Sequence, residues 1–181
     1  MKKTFLAFAL LLGVLFASSA QEKSFNRLYG AFNVSFGGAP HANFTNKDFA
    51  NRSFGIELGY RFTPNFSLFA LTTADINLLN ATTTKNYNET GTLGVGAAYA
   101  FNVGNRSYIE PVISCASTYL KSDFSYLTPK FEVRWGVNIP WGGKYNTGPY
   151  VGLGIQYIHP YNNSTVPNMV MSYATIGFKL Y

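Results

Sequence analysis

Every second residue from Phe54 to Phe62 is apolar or aromatic, while Ser53, Gly55, Glu57, Gly59 and Arg61 between them are small or charged. Period two is the signature of a strand with two unlike faces, whereas a helix would repeat about every 3.6 residues. The pattern returns at Phe131, Val133, Trp135, Val137, Ile139 and Trp141, set against Glu132, Arg134, Gly136 and Asn138. It returns again at Leu93, Val95, Ala97, Tyr99 and Phe101, and at Val151, Leu153, Ile155 and Tyr157. Collected along the chain, such segments predict eight strands, at about 27–37, 52–62, 66–75, 90–101, 107–120, 131–141, 148–158 and 169–181. The third has no readable register, because Phe66 to Leu71 is apolar on both faces.

The connections between these strands cover about 38–51, 63–65, 76–89, 102–106, 121–130, 142–147 and 159–168, and their lengths alternate long and short. Thr63-Pro64-Asn65, the Asn102 to Arg106 segment and Gly142-Gly143 carry the Gly, Asn and Pro chemistry of tight turns. Outer-membrane barrels show this asymmetry, with short periplasmic turns and longer extracellular loops. An up-and-down meander with both ends on the same side needs an even strand number, which eight satisfies. The fold expected is therefore all-β: an eight-stranded, antiparallel, up-and-down transmembrane barrel over 21–181.

Alternation alone does not say which face meets water, since a soluble sandwich hides its apolar face and a membrane barrel shows it to lipid. Composition helps. Hydrophobic residues make up 47% of the 181 residues and aromatics 17%, but only 12% are charged, against roughly 25% in an ordinary soluble domain. Aromatics close the apolar faces at the strand ends (Tyr60, Phe62, Tyr99, Phe101, Trp141 and Phe178), as an interfacial girdle would. The lipid-facing stripe should then include Phe54, Ile56, Leu58, Val133, Trp135, Val137, Val151, Leu153 and Ile155. Arginine at Leu58 or Val137 is expected to cost roughly 2–4 kcal/mol near the bilayer midplane. The opposite face is rich in Gly, Ala and Ser. It carries Glu57, Arg61, Glu110, Glu132, Arg134 and Lys179, three acids and three bases expected to pair in the lumen as a packed salt-bridge network.

Lys2 and Lys3, the apolar run from Phe5 to Phe16 and Ser18-Ser19-Ala20 have the three parts of a cleaved secretory leader, read here as 1–20. Without those two lysines the 14 basic residues become 12 against 8 acidic, a net charge of +4. The charge is scattered, so the chain has no electrostatic footprint for nucleic acid. One cysteine, Cys115, and two histidines supply neither a disulfide nor a Cys/His zinc site. No metal and no cofactor are expected.

The eight segments, the alternating connections, the leader and the last strand together resemble the small outer-membrane barrel families of the OmpA transmembrane domain and OmpX type. Tyr173 to Tyr181 is similar to the C-terminal signal read by the barrel-assembly machinery, although Tyr181 is one residue out of phase with Phe178 and Leu180. The Ala20-Gln21-Glu22 junction and the Asn- and Tyr-rich connections also resemble outer-membrane proteins of Bacteroidota. The resemblance implies an exported, monomeric protein of the bacterial outer membrane, with that membrane's lipids and lipopolysaccharide as neighbours.

An eight-stranded barrel is just wide enough for its own side chains to fill, which disfavours a diffusion pore. Two small-barrel families, the lipid A deacylase and the lipid A palmitoyltransferase, use a histidine with a serine and an acid near the outer rim. His159-Pro160-Tyr161-Asn162 followed by Pro167-Asn168 is loosely similar to the deacylase pattern, but Tyr161 occupies the nucleophile position and Tyr173 falls about where the acid would stand. Ser164 could serve only through another loop geometry, and His41 resembles the palmitoyltransferase residue only loosely. The expectation is a protein with no catalytic residues, acting in the envelope or at the surface through its long loops, with a deacylase-like enzyme using His159 as the alternative.

Overall fold

The computed structural model describes residues 26–39, 48–81, 84–119, 125–141, 145–161 and 168–181; the leader, His41 and Ser164 lie outside the described residues. The strands are β1 (Leu28–Ala39), β2 (Asp48–Arg61), β3 (Phe66–Ala81), β4 (Thr84–Tyr99), β5 (Phe101–Val103), β6 (Ser107–Thr118), β7 (Tyr126–Val137), β8 (Ile139–Trp141), β9 (Tyr145–Pro160) and β10 (Met169–Leu180). β5 continues β4 along β6, and β8 continues β7 along β9, so the wall has eight staves. All neighbours are antiparallel, and the pairing of β10 with both β9 and β1 closes the ring.

Proline chemistry explains where pairing breaks. Proline has no N–H to give to a ladder. Pro111 pairs with Val133 on β7, but on its other side pairing stops at Ala98–Val112 and resumes at Phe101–Ile109, which separates β5 from β4. Pro129 pairs with Cys115 and sits in the gap between Leu127–His159 and Lys130–Gln156. Pro149 pairs with Phe178 and sits where β7 gives way to β8. Each proline leaves a stave attached on one side and loosened on the other.

The register fixes the barrel's stagger. A row across the wall runs from Leu180 through Gly30, Leu58, Ala70, Val95 and Cys115 to Pro129. The pairs flanking Pro129 set Tyr157 opposite it, and Tyr157 pairs with Val170. The row thus returns to β10 ten residues from its start at Leu180. With a rise of roughly 3.3 Å per residue and a strand spacing of roughly 4.8 Å, that stagger tilts the strands by about 40° and gives a radius of about 8 Å.

One end of the barrel is closed by tight turns. At the first, Thr63 Oγ1 accepts from the backbone N–H of Phe66 at 2.9 Å and of Asn65 at 3.3 Å, and the Arg61 guanidinium donates to the Pro64 carbonyl. At the second, Gly104 takes φ +76°, a left-handed conformation that glycine adopts without steric cost. At the other end the strands run further than alternation predicted. β3 and β4 stay paired out to Ala81 opposite Thr84, through the segment 76–89 that the sequence assigned to a connection. β2 likewise begins at Asp48 and β7 at Tyr126. Asn- and Thr-rich strand has no apolar stripe when both faces are polar surroundings, yet its backbone groups still pair.

The ambiguous third strand is settled by packing. Phe69 and Leu71 point inward and are buried, while Leu68 and Ala70 point outward. Inside, Phe69 and Leu71 pack with Ala31, Ala98, Val112 and Ala116, so this part of the wall is apolar on both faces.

Candidate functional site: the filled interior

At mid-height the inward positions of β2, β6, β7 and β10 bring charges together. Arg134 forks onto Glu57, with Nη2 to Oε1 at 2.5 Å and Nη1 to Oε2 at 3.0 Å. It also reaches Glu132, with Nη2 donating to Oε2 at 3.3 Å and Nε forming an ion pair with Oε1 at 3.2 Å whose angles are not those of a hydrogen bond. Glu110 Oε2 lies 3.9 Å from Arg134 and accepts from Lys179 Nζ at 2.5 Å. Asn33 Nδ2 donates to Glu57 at 3.2 Å, and Tyr173 Oη donates to Glu132 at 3.4 Å. The Arg134 guanidinium sits over the ring of Tyr150, and Lys179 over that of Tyr29. Burying this much charge is tolerable only when each group has partners, and all five are buried.

Five of the six charges expected in the lumen therefore share one network. Arg61 lies lower, lining the turn-side cavity together with Glu110, Lys179 and Tyr181. It lies at the last paired position of β2, with its guanidinium over the Tyr181 ring at 5.0 Å. A further cation beside the mid-height carboxylates is Lys130, which lines the same small cavity as Glu57, Glu132 and Arg134 and sits over Tyr173. Lys130 is in phase with Glu132 and Arg134, but the sequence reading ended the preceding connection at that residue and so left it out of the strand.

Above this layer, toward the long connections, a polar layer around the single acid Asp75 is not legible in the sequence. Asn51 donates to Asn77 Oδ1 at 2.8 Å and Asn77 to Thr90 at 3.0 Å. Tyr126 Oη lies 3.2 Å from Thr90 and donates to Asp75 at 3.3 Å. Thr73 donates to Asp75 at 2.6 Å. Beside it an apolar cluster of Ala39, Phe49, Tyr126, Ile158, Met169 and Met171 fills the same end of the barrel. Below the charges, inward glycines make room for flat-lying tyrosines. A β-carbon at Gly59, Gly136 or Gly177 would run into the rings of Tyr29, Tyr108 and Tyr150 respectively.

Two small cavities lie inside, among the described residues. The mid-height cavity holds about 30 Å³ and another near the tight turns, between Tyr108, Glu110 and Lys179, about 40 Å³. Each is on the scale of a few water molecules at most. Among the described residues no group of three His, Cys, Asp or Glu stands ready to hold a metal ion.

Outside, the nine residues assigned to the apolar stripe all occupy outward positions. Leu58 is 69% and Leu153 72% exposed, and Phe54, Val133, Trp135, Val151 and Ile155 are exposed too, while Ile56 and Val137 are partly covered. Val137 pairs with Ser107, the first residue of β6 after the second turn. It stands at the barrel's end, so the mid-depth placement expected for it is corrected. His159 lies on the outer face near the end of β9, exposed, with Nδ1 2.9 Å from Asn168 Oδ1 and its ring stacked on Tyr157. Tyr181 turns inward against Tyr29, which accounts for its being out of phase with Phe178 and Leu180.

No protein-family model matches the chain, and no curated protein matches it by sequence. Solved structures do. The crystal structure of Neisserial surface protein A is similar over 87% of this chain and 99% of that one, at 18% identity and a TM-score of 0.56. Outer membrane protein AlkL, solved by solid-state NMR in lipid bilayers, is similar over 90% and 92% at 12% identity, with a TM-score of 0.46. The outer membrane enzyme PagL gives a TM-score of 0.33 at 13% identity over 82% and 97%. The last two are too distant to carry an argument, and the first is a likeness of fold. The chain has the fold of an eight-stranded transmembrane β-barrel.

Proposed function

We propose that this protein is a non-enzymatic component of the bacterial outer membrane, exported by a cleaved leader and held in the bilayer as a monomeric barrel. Its work is done at the surface, by supporting the envelope or contacting other molecules through the segments expected as connections around 38–51, 76–89, 121–130 and 159–168, the second of which is paired strand out to Ala81 and Thr84. The observation that carries this reading is the filled interior. With cavities of about 30 and 40 Å³ separated by the Glu57–Arg134–Glu110–Lys179 network, the barrel is plugged at mid-height among the described residues. The strands that rise beyond the apolar band toward the long connections supply a stiff platform for contact.

On this reading the short turns face the periplasm, lipopolysaccharide and phospholipid surround the wall, and the barrel-assembly machinery inserts the chain. The OmpA and OmpX resemblance and the Bacteroidota-like features fit the same picture. The deacylase-like alternative is not favoured. His159 has an amide partner, and the likeness to the outer membrane enzyme PagL is too distant to support it. The test combines planar-bilayer conductance of the purified barrel with mass spectrometry of lipid A from cells with and without the gene. Absent conductance and unchanged lipid A are expected. Steady channel openings, or loss of one acyl chain that a His159→Ala variant abolishes, would overturn the reading.

A further inference from the structure

The outer wall is not evenly convex. An open apolar groove of about 1680 Å³ crosses it from β10 and β1 to β6. It runs between two neighbouring rows of outward positions, one through Leu58 and Val95 and the other through Leu28 and Ile113, and the small side chains of Gly30, Ala70 and Ala97 in those rows leave it room. A β-carbon built on Gly30 meets nothing within 4 Å, unlike those on the inward glycines. At the lower mouth, Arg27 turns from the start of β1 to Tyr60, donating to its hydroxyl at 3.0 Å, and both are solvent-accessible. Tyr60 itself lines the groove.

The register gives the groove a direction. The row Leu180, Gly30, Leu58, Ala70, Val95, Cys115 starts at the last paired residue of β10 and ends three residues below the far end of β6. Five strand spacings make it about 24 Å long. Inclined by about 40°, it rises roughly 15 Å, which is half of a hydrocarbon core about 30 Å thick and so the depth of one leaflet.

From this geometry we infer that the groove is a specific site for one glycerophospholipid of the leaflet on the short-turn side. The phosphate sits against Arg27 and Tyr60, and an acyl chain lies along Gly30, Ala70 and Ala97. Arginine suits a phosphate because its planar fork offers paired donors. In a membrane the hydrophobic effect does not drive such docking, since lipid tails are as apolar as leucine. Close packing in a trough and the charged contact at its mouth distinguish this lipid from the annulus around it. The inference rests on the transmembrane reading above and specifies its lipid partner.

The test uses the full barrel in mild detergent, with heat-modifiable migration on a gel as the check that each sample is folded and membrane-competent. Native mass spectrometry then follows adducts of phosphatidylglycerol, of diacylglycerol with the same chains, and of lipopolysaccharide. Retention of one phosphatidylglycerol is expected. Gly30→Leu, which narrows the groove, should lower it roughly fivefold or more, while Ala174→Leu on the outer face of β10 leaves it unchanged. Arg27→Gln should remove the preference for phosphatidylglycerol over diacylglycerol. Equal retention by Gly30→Leu and wild type overturns the site, as does equal loss in Ala174→Leu. Lipopolysaccharide held in place of phospholipid overturns the leaflet assignment. A wild-type chain that shows no heat-dependent shift overturns the transmembrane reading itself, and the site with it.

Discussion

Arg134 and Glu57 lie 77 positions apart in the chain and meet inside the barrel in a two-bond fork, which ties β7 to β2 across the lumen. Because Glu132 and Glu110 crowd the same guanidinium, the two partners are not equivalent. Arg134→Met leaves three buried carboxylates facing Lys179 and Lys130 and should cost about 3–5 kcal/mol. Glu57→Gln leaves Arg134 with two carboxylates and should cost about 1–2 kcal/mol. Urea titration in lipid vesicles, read by the heat-dependent gel shift, ranks them. Equal losses would show that the fork does not organise the network.

Glycine substitutions separate the inside of the wall from the outside. Gly136→Ala drives a methyl into the Tyr108 ring, buried on the lumen side, and should destabilise by about 1–3 kcal/mol. Gly30→Ala enters open space on the outer face and should be neutral within about 0.5 kcal/mol. The same urea titration reads both, and a neutral Gly136→Ala would contradict the packing of the tyrosine layer.

Depth along the wall can be mapped with arginine. Leu153 stands near the middle of β9 and is the most exposed member of its stripe, so Leu153→Arg should cost about 2–4 kcal/mol. Val137→Arg, one rung from the tight turn, should cost only about 0–1 kcal/mol. Asn105→Arg in the exposed turn should cost almost nothing. A flat profile across the three would refute a bilayer around the barrel.

The Tyr126 hydroxyl bridges Thr90 and Asp75 in the upper polar layer. Tyr126→Phe keeps the ring against Ile158 and Met169 but strips a donor from the buried acid, and about 1–3 kcal/mol of stability should go with it. A double variant with Asp75→Asn tests the link, because loss of the charge should recover part of that cost.

Most of the wall could be read before any coordinates because one face is greasy and the other is not. Leu58, Val133 and Leu153 announce their faces through neighbours such as Glu57, Glu132 and Gly152. Phe69 and Leu71 did not, since inside and outside are both apolar there and only the packing against Val112 and Ala116 decides. The upper layer was missed for the opposite reason: at Asn77 and Thr90 no apolar stripe remains to alternate, and pairing persists on backbone hydrogen bonds and on the side-chain bond from Asn77 to Thr90. Arg61 and Lys130 show the limit for charges. Parity puts a side chain on a face but not at a height: Arg61 lines the turn-side cavity with Glu110 and Lys179, not the mid-height one, and Lys130 was hidden by a strand start placed five residues too late.

The seam between β1 and β10 joins Gly30 to Leu180, nearly the whole described chain apart. Until that pairing forms, the nascent sheet has two raw edges, each a row of unsatisfied donors and acceptors able to capture another chain. Contacts this distant in sequence are also the slowest to form. The journey from synthesis to membrane is therefore the hazardous stage in this protein's life, and a variant that weakens the seam should show itself first as aggregate awaiting insertion, well before the finished barrel loses any strength.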